Sequence, residues 1–410
     1  MTKCGKMKKI IFGIVVILVI VSFFAFKGKK SDENELVFWT LQLGTFDKYV
    51  NGVITEFERQ NPDIKIKWVD VPYSEGEKRT LAALLTDNPP DLINLTPDFS
   101  AMAAQKNALS EIPKEYMTAY PRAMYPSLSF NGKFFAIPFY LTSAITFVND
   151  DLAKKAGITS YPRTYDEMFA LAEKIKKTTG YFVEMPTVNE NDTLLKILNK
   201  YGITPDKGMQ SPESIRIFER YKNLYQNNLI PKESLTQSHR EALEKYMSGQ
   251  IVFLQAGANF LNIVKENAPT IYETTSLTPQ IVGSTGKYDF SLMNLIIPSK
   301  AKHKEAALKF ALFLTNKNNQ LEFAKLTSVL PVNNEALADS YFKKSGTKEE
   351  LARKISAEQI QNIGEGVKNS RNKKNIILLT NTALAEIMSG KADVEPTLVE
   401  LNKKINEFKE

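Results

Sequence analysis

Few side chains in this 410-residue chain have the types and spacing that bond-making chemistry requires. A zinc centre needs three or four converging Cys, His or acidic ligands, and the chain offers one cysteine, Cys4, and two histidines. His239 lies in a capping box, Ser238-His239-Arg240-Glu241, and His303 lies in a Lys-rich helix start, so no shared metal site is expected. The turn Gly283-Ser284-Thr285-Gly286 lacks the lysine and spacing of a phosphate-binding loop, and no oriented base is evident for a nucleophilic serine. One carboxylate pair remains, Glu75 and Asp98. Sugar hydrolysis by such a pair would need the two groups about 5–10 Å apart across a cleft. These residues lead to an expectation of no cofactor, no metal and no enzymatic machinery.

Charge places the chain before it says anything of its ligand. The formal charge is +7, but seven of the 53 basic residues lie in the first thirty positions, with no acid among them. The remaining 380 residues carry 46 charges of each sign, so no basic surface for nucleic acid is expected. Between the lysine clusters, residues 10–26 form an uncharged apolar run, about 25 Å long as a helix at 1.5 Å per residue. The expectation is a transmembrane anchor, or a signal segment, at 10–26, with a cytoplasmic N-terminus at 1–9 and a linker at 27–35. The run ends Ser22-Phe23-Phe24-Ala25-Phe26 without an A-x-A site, which favours the uncleaved anchor. Either way the body is exported. With one cysteine, which lies before the run, no disulfide framework can form.

The body alternates strand and helix. Leu36-Val37-Phe38-Trp39 reads as a strand, and Phe46, Val50, Val53, Ile54 and Phe57 recur at helical spacing until Asn61-Pro62. Ile64, Ile66 and Trp68 alternate as a second strand, and Leu92-Ile93-Asn94-Leu95 forms a buried third one after Asn88-Pro89-Pro90. That order is the pattern of a doubly wound parallel sheet, whose ligands sit beyond the carboxyl ends of the strands. The loops after Trp39, Trp68 and Leu95 are thereby singled out. A second block opens near residue 144, with a capping box at Thr164-Tyr165-Asp166-Glu167, a Ser211-Pro212 helix start and a strand at 251–254. Residues 344–410 read as polar and mostly helical.

Five collinear stretches carry a likeness across residues 36–335. They are Phe38-Trp39-Thr40 with the helix running to Asn61-Pro62, then Leu81-Ala82-Ala83 through Asn88-Pro89-Pro90-Asp91. Asn131-Gly132-Lys133 through Pro138-Phe139 follows, with Phe147-Val148-Asn149-Asp150-Asp151-Leu152 and Ala156-Gly157-Ile158 behind it. Tyr246-Met247-Ser248-Gly249-Gln250 and Ile297-Pro298-Ser299-Lys300 with Glu305-Ala306-Ala307 complete the set. In this order the chain resembles the extracellular solute-binding proteins of ABC importers, in the cluster holding maltose-, oligosaccharide- and glycerol-phosphate-binding proteins.

The resemblance implies an α/β, two-lobe, periplasmic-binding-protein-like fold of type II, with two doubly wound sheets joined by a hinge. Lobe one would span 36–140 and 286–329, lobe two 141–285 and 330–410, with a hinge crossing at 136–140. It implies a carbohydrate-like solute held between the lobes, ABC permease subunits as partners, a monomeric body, and a place outside the cytoplasmic membrane of a bacterial envelope. A membrane-anchored sensor of the same fold is the alternative. The ligand residues it implies are Trp39 and Gln42 after the first strand, Tyr73 and Glu75 after the second, Asp98 after the third, and Tyr140 beside the hinge. In lobe two they are Gln255, Asn259 and Phe260. Phe260 stands where relatives carry a larger aromatic, and Met293 with Asn294 stand where relatives favour a glycine pair. Those departures argue against a standard maltose-like solute.

Overall fold

A computed structural model describes residues 35–205, 207–364 and 372–408 of the chain. The expected N-terminus, anchor and linker up to residue 34 lie outside the described residues. Among the described residues no helix is long and apolar enough to cross a membrane.

The first lobe is built on a five-stranded sheet in the order β2-β1-β3-β10-β6. Strand β1 is Glu35–Leu41, β2 is Lys65–Val71 and β3 is Leu92–Leu95. These three pair in parallel, with Trp39 opposite Val69 and Ile93, as alternation and short connections predict. Tyr49, Val50, Val53, Ile54 and Phe57 form the buried stripe of the helix Asp47–Gln60, which stops at Asn61-Pro62 because proline has no N–H to continue the ladder. A two-residue pairing of β4 (Ser129–Phe130) with β5 (Lys133–Phe134) forms a side hairpin. Strands β6 (Ile137–Thr142) and β10 (Ser291–Ile296) then complete the sheet in antiparallel register. Phe310 meets Phe38 edge-on at 5.3 Å and lies 4.9 Å from Phe57, closing the core beneath.

The second lobe departs from the expected doubly wound sheet. Its three strands run in the order β8-β7-β9, where β7 is Ala144–Asn149, β8 is Phe253–Gly257 and β9 is Thr275–Thr278. Strand β7 is antiparallel to both neighbours. Among the described residues of this lobe, parallel pairing is confined to isolated bridges, Phe182 to Ile251 and Thr164 to Val282. The capping boxes at Thr164/Glu167 and Ser238/Glu241 both form, and Ser211 caps the helix Pro212–Gln226 with Pro212 at its first position.

Most of the tail packs in the second lobe, while Ile360 and Ile363 return to the first core. The helices Lys373–Met388 and Val394–Glu407 bury Leu384, Ile387, Leu398 and Leu401 against Phe218 and Tyr221, while Ala352 and Ile355 of the helix Lys348–Gln359 join the core around Phe147 and Tyr246. The boundary expected at 329/330 moves, because Leu330, Val332 and Phe342 pack in the first core. Leu330 is also bound to β6 through paired hydrogen bonds with Leu141. The crossing expected at 136–140 moves too. Ala136, Ile137 and Phe139 are first-core residues, and the chain changes lobe at Ser143.

Three crossing segments meet at one buried polar junction. The Gln359 amide donates to Ser143 Oγ and to the Ala144 carbonyl, both at 2.9 Å, and accepts from the Gln280 N–H at 2.6 Å. Gln280 in turn accepts the Asp289 N–H at 2.8 Å. Buried amides satisfied on both ends fix geometry, whereas a half-satisfied one would be destabilising. The lobes are therefore hinged through a polar clasp.

Candidate functional site

A cavity of about 490 Å³ opens beside this junction, mainly against the second lobe. Thr142, Ser143, Phe290 and Ser291 supply its hinge side, and Pro186, Thr187 and Glu190 its outer wall. The end of β8 brings Gly257 and the turn after it Asn259 and Phe260, and the floor holds Glu184, Lys196, Lys200, Gln280 and Asp289. Aromatic rings and convergent polar groups over this volume suit a small polar molecule.

Of the expected ligand residues, the structure brings Gln255, Asn259 and Phe260 to this cavity. Phe260 stands edge-on to the His239 ring at 5.2 Å, and His239 Nε2 is 2.8 Å from the Gln255 carbonyl. The Gln255 amide is committed internally, donating to Thr146 Oγ1 at 2.9 Å and accepting from the Ile281 N–H at 3.1 Å. It shapes the loop and leaves Asn259 as the amide with side-chain reach.

The other expected residues do not line the cavity. Trp39 is half-buried against the first core, with the Arg79 guanidinium 5.7 Å from its ring centre. Glu75 is exposed and pairs with Arg79 at 3.7 Å, and the side chain of Tyr73 lies outside what is described. Tyr140 meets Phe139 at 5.1 Å and Phe323 at 5.6 Å, wedging the hinge from the first lobe. Met293 and Asn294 are buried in a central strand covered on both sides; Asn294 carries a main-chain carbonyl that accepts from Asn94 Nδ2 at 3.0 Å.

Gln42 borders a separate hollow with Asp70, Pro72 and Ser74, and its own φ is 55°. Asp70 sets that turn. Its carboxylate accepts from Thr40 Oγ1 at 2.7 Å, from the Leu43 N–H at 2.9 Å and from the Gly44 N–H at 2.8 Å, while Thr40 Oγ1 accepts from Trp68 Nε1 at 2.7 Å. Asp70→Ala frees all three donors and is expected to lower unfolding stability by about 1–2 kcal/mol, read in urea titrations. An unchanged midpoint would show that the turn holds without its carboxylate.

Asp98 has another role. It sits in the first turn of the helix Pro97–Gln105, capped by Thr96, and pairs with Lys373 of the second lobe. Lys373 also lies 3.3 Å from Asp192, and the adjacent Lys374 reaches Glu77 of the first lobe at 2.9 Å. Two neighbouring lysines thus bridge the lobes. Lys373 is 13% exposed, so its bridge is screened less than that of Lys374, which is 88% exposed. Lys373→Ala is expected to weaken solute affinity about 3–10-fold by favouring the open form, with a flatter salt dependence. Equal affinity and equal salt dependence in fluorescence titration would remove the bridge from closure.

The floor was not legible as a site. Glu184 sits in an apolar run, Phe182-Val183-Glu184-Met185, and one charge in such a run is its only sequence signal. Burial lifts its carboxyl to about 8, with Lys200 pulling the other way. Lys200 is itself lowered by burial and held up by Asp289, 3.4 Å away, while its Nζ donates to the Ile281 carbonyl at 2.8 Å. Lys196 is raised despite its burial, chiefly by Asp192, 3.1 Å distant. Lys196 and Lys200 lie one helical turn apart, which places both toward one side. Phe290, one residue before β10, completes the aromatic lining.

Comparison with known proteins agrees with this architecture. Residues 52–350 match the model of the bacterial extracellular solute-binding protein family. The chain is 22% identical over 366 residues to the diacetylchitobiose binding protein DasA of Streptomyces coelicolor, covering 80% of this chain and 83% of that one. Among solved structures, a "putative oligosaccharide periplasmic-binding protein" from Synechococcus sp. MITs9220 superposes with a TM-score of 0.81 at 30% identity, over 91% of this chain and 98% of the other. The sugar-binding protein MalE of Xanthomonas citri shares the fold at a TM-score of 0.79 and 20% identity, over 91% and 97%. The family match over residues 52–350, most of the chain, makes this protein a member of the bacterial extracellular solute-binding proteins.

Proposed function

We propose that the protein captures a sugar in the cavity beside its hinge, outside the cytoplasmic membrane, and passes it unchanged to the permease of an ABC importer. The observation that carries this reading is the cavity lining. Phe260 and Phe290 place aromatic rings in the lining, and Asn259, Glu190, Glu184 and Lys196 place polar side chains there. Apolar ring faces suit the C–H surface of a pyranose, and convergent polar groups suit its hydroxyls. The oligosaccharide and diacetylchitobiose named for the relatives point to the same class of solute.

Closure follows from the hinge. A solute that touches both the hinge-side residues and the loop after β8 binds the closed arrangement better, and so shifts the population toward it. The body would act as a monomer, and the permease would meet the rims of both lobes. At micromolar affinity the whole binding free energy is about −8 kcal/mol, within reach of two ring contacts and several hydrogen bonds. A thermal-shift screen with maltose, cellobiose, N,N′-diacetylchitobiose and arabinotriose, and with amino acids as controls, tests the class. At one hundred times Kd the solute contributes about 2.7 kcal/mol, enough to raise the melting temperature by several degrees. A shift with a sugar and none with amino acids is expected; a shift with amino acids alone would overturn the sugar reading.

A further inference from the structure

Glu184 lies on the cavity floor between the helix Ala172–Thr179 and the wall at Pro186 and Thr187. It is 5% exposed, and its Oε1 has no hydrogen-bond partner among the described residues. Its polar neighbours in the lining already hold other partners. Lys200 is held by the Ile281 carbonyl and Asp289, Lys196 by Asp192, and the Gln255 amide by Thr146 and Ile281. The groups that face Glu184 electrostatically are Lys200 at the end of the helix Thr193–Asn199, Tyr165 from the helix Tyr165–Ala170 and Tyr221 from the helix Pro212–Gln226. Tyr221 has its own hydroxyl unpartnered, and burial raises both phenols. Glu190 and His239 stand farther along the same lining.

A buried carboxyl with one oxygen left unpartnered is destabilising, and Leu or Met would fill the same volume without that penalty. An acid kept there has a use in the occupied state. With its carboxyl lifted to about 8, Glu184 carries a proton at neutral pH, so one oxygen donates a hydrogen bond and the other accepts.

We propose that Glu184 is the specificity-determining residue of this cavity, and that it takes an uncharged hydroxyl of the bound sugar by donating to its oxygen and accepting its proton. The proposal rests on the sugar reading of the cavity and names the contact that selects within that class. Lys196 and Lys200 beside it disfavour a cationic group on the solute at that point. A sugar lacking the hydroxyl leaves the carboxyl unpaired, and sites built to bond a hydroxyl reject such analogues strongly.

The test is calorimetric titration of the best-binding sugar among maltose, cellobiose, N,N′-diacetylchitobiose and arabinotriose, from pH 6 to 9.5. Wild type is expected to hold its affinity up to about pH 8 and then to lose about tenfold per pH unit as the acid ionises. Glu184→Gln, whose amide also donates and accepts, is expected to bind within about threefold of wild type at pH 6.5 and to show no such fall. Glu184→Leu is expected to bind at least thirtyfold more weakly while melting higher than wild type, on the order of the discrimination known for hydroxyl-bonding sites. Wild-type affinity that stays level to pH 9.5, or Glu184→Leu binding as wild type does, overturns the role of Glu184 and leaves the sugar reading standing. Wild type that binds none of the four sugars overturns both.

Discussion

Glu184→Gln is expected to raise unfolding stability by roughly 3–5 kcal/mol at pH 8.5 and to leave it almost unchanged at pH 4.5. The sign follows from where the proton sits. The carboxyl titrates near 4.5 when unfolded and near 8 when folded, so between those values the folded protein holds a proton that the unfolded chain has released. Stability contributed at this position is complete below pH 4.5, falls as pH rises toward 8, and is constant above it. Glutamine does not titrate, so the difference between the two proteins isolates this group from Asp192, which Lys196 and Lys373 hold low against its burial. Urea titrations of both proteins at pH 4.5, 6, 7.5 and 8.5 read the effect. Curves that run parallel across this range would mean that Glu184 is ionised in the folded protein at neutral pH.

Gly283→Ala is expected to be the most disruptive single-methyl change in the second lobe. A Cβ at Gly283 would stand 2.5 Å from the Lys200 carbonyl oxygen and 2.7 Å from its carbon, both main-chain atoms that cannot swing aside. The same carbonyl accepts from the Thr285 N–H at 3.0 Å and from Thr285 Oγ1 at 2.7 Å, so the two segments cannot separate without losing both bonds. Overpacking of this kind costs about 1–3 kcal/mol and here falls at the upper end or above it. Displacing this contact also moves Lys200, Gln280 and Asp289, so affinity for solute should fall together with stability. Gly286→Ala supplies the control. Its φ is +67° and nothing lies within 4 Å of the added atom, so conformational strain of about 1 kcal/mol acts alone. Equal melting temperatures for the two variants would contradict the close approach at Gly283.

The sequence foreshadows the parts of this fold that local chemistry controls. Alternation at Ile64, Ile66 and Trp68, the breaker at Asn61-Pro62 and the two capping boxes are each satisfied within a few residues, and each appears in the structure where the pattern places it. The first three strands pair in parallel for the same reason. Sheet direction in the second lobe was not legible, because β7 takes partners more than a hundred residues away. The cavity was half legible. Phe260 and Asn259 follow the end of β8 and Gln255 lies within it, where position marks them, whereas Glu184, Lys200 and Asp289 meet only through the folding of separate segments. Asp98 illustrates the limit from the other side. A carboxylate after a strand end fits a ligand contact as well as it fits an ion pair, and only the placement of the helix Lys373–Met388 supplies the lysine.

Sugar capture beside the hinge is tested most directly by isothermal titration of the sugar that shifts the melting temperature most, into wild type and into Phe260→Ala/Phe290→Ala. One site per chain with a dissociation constant near 1 μM in wild type, worth about 8 kcal/mol, and a loss of at least twentyfold in the double variant, are the predicted results. Full affinity in the double variant would place the solute elsewhere on the protein, and a wild type that binds no sugar would contradict sugar capture altogether.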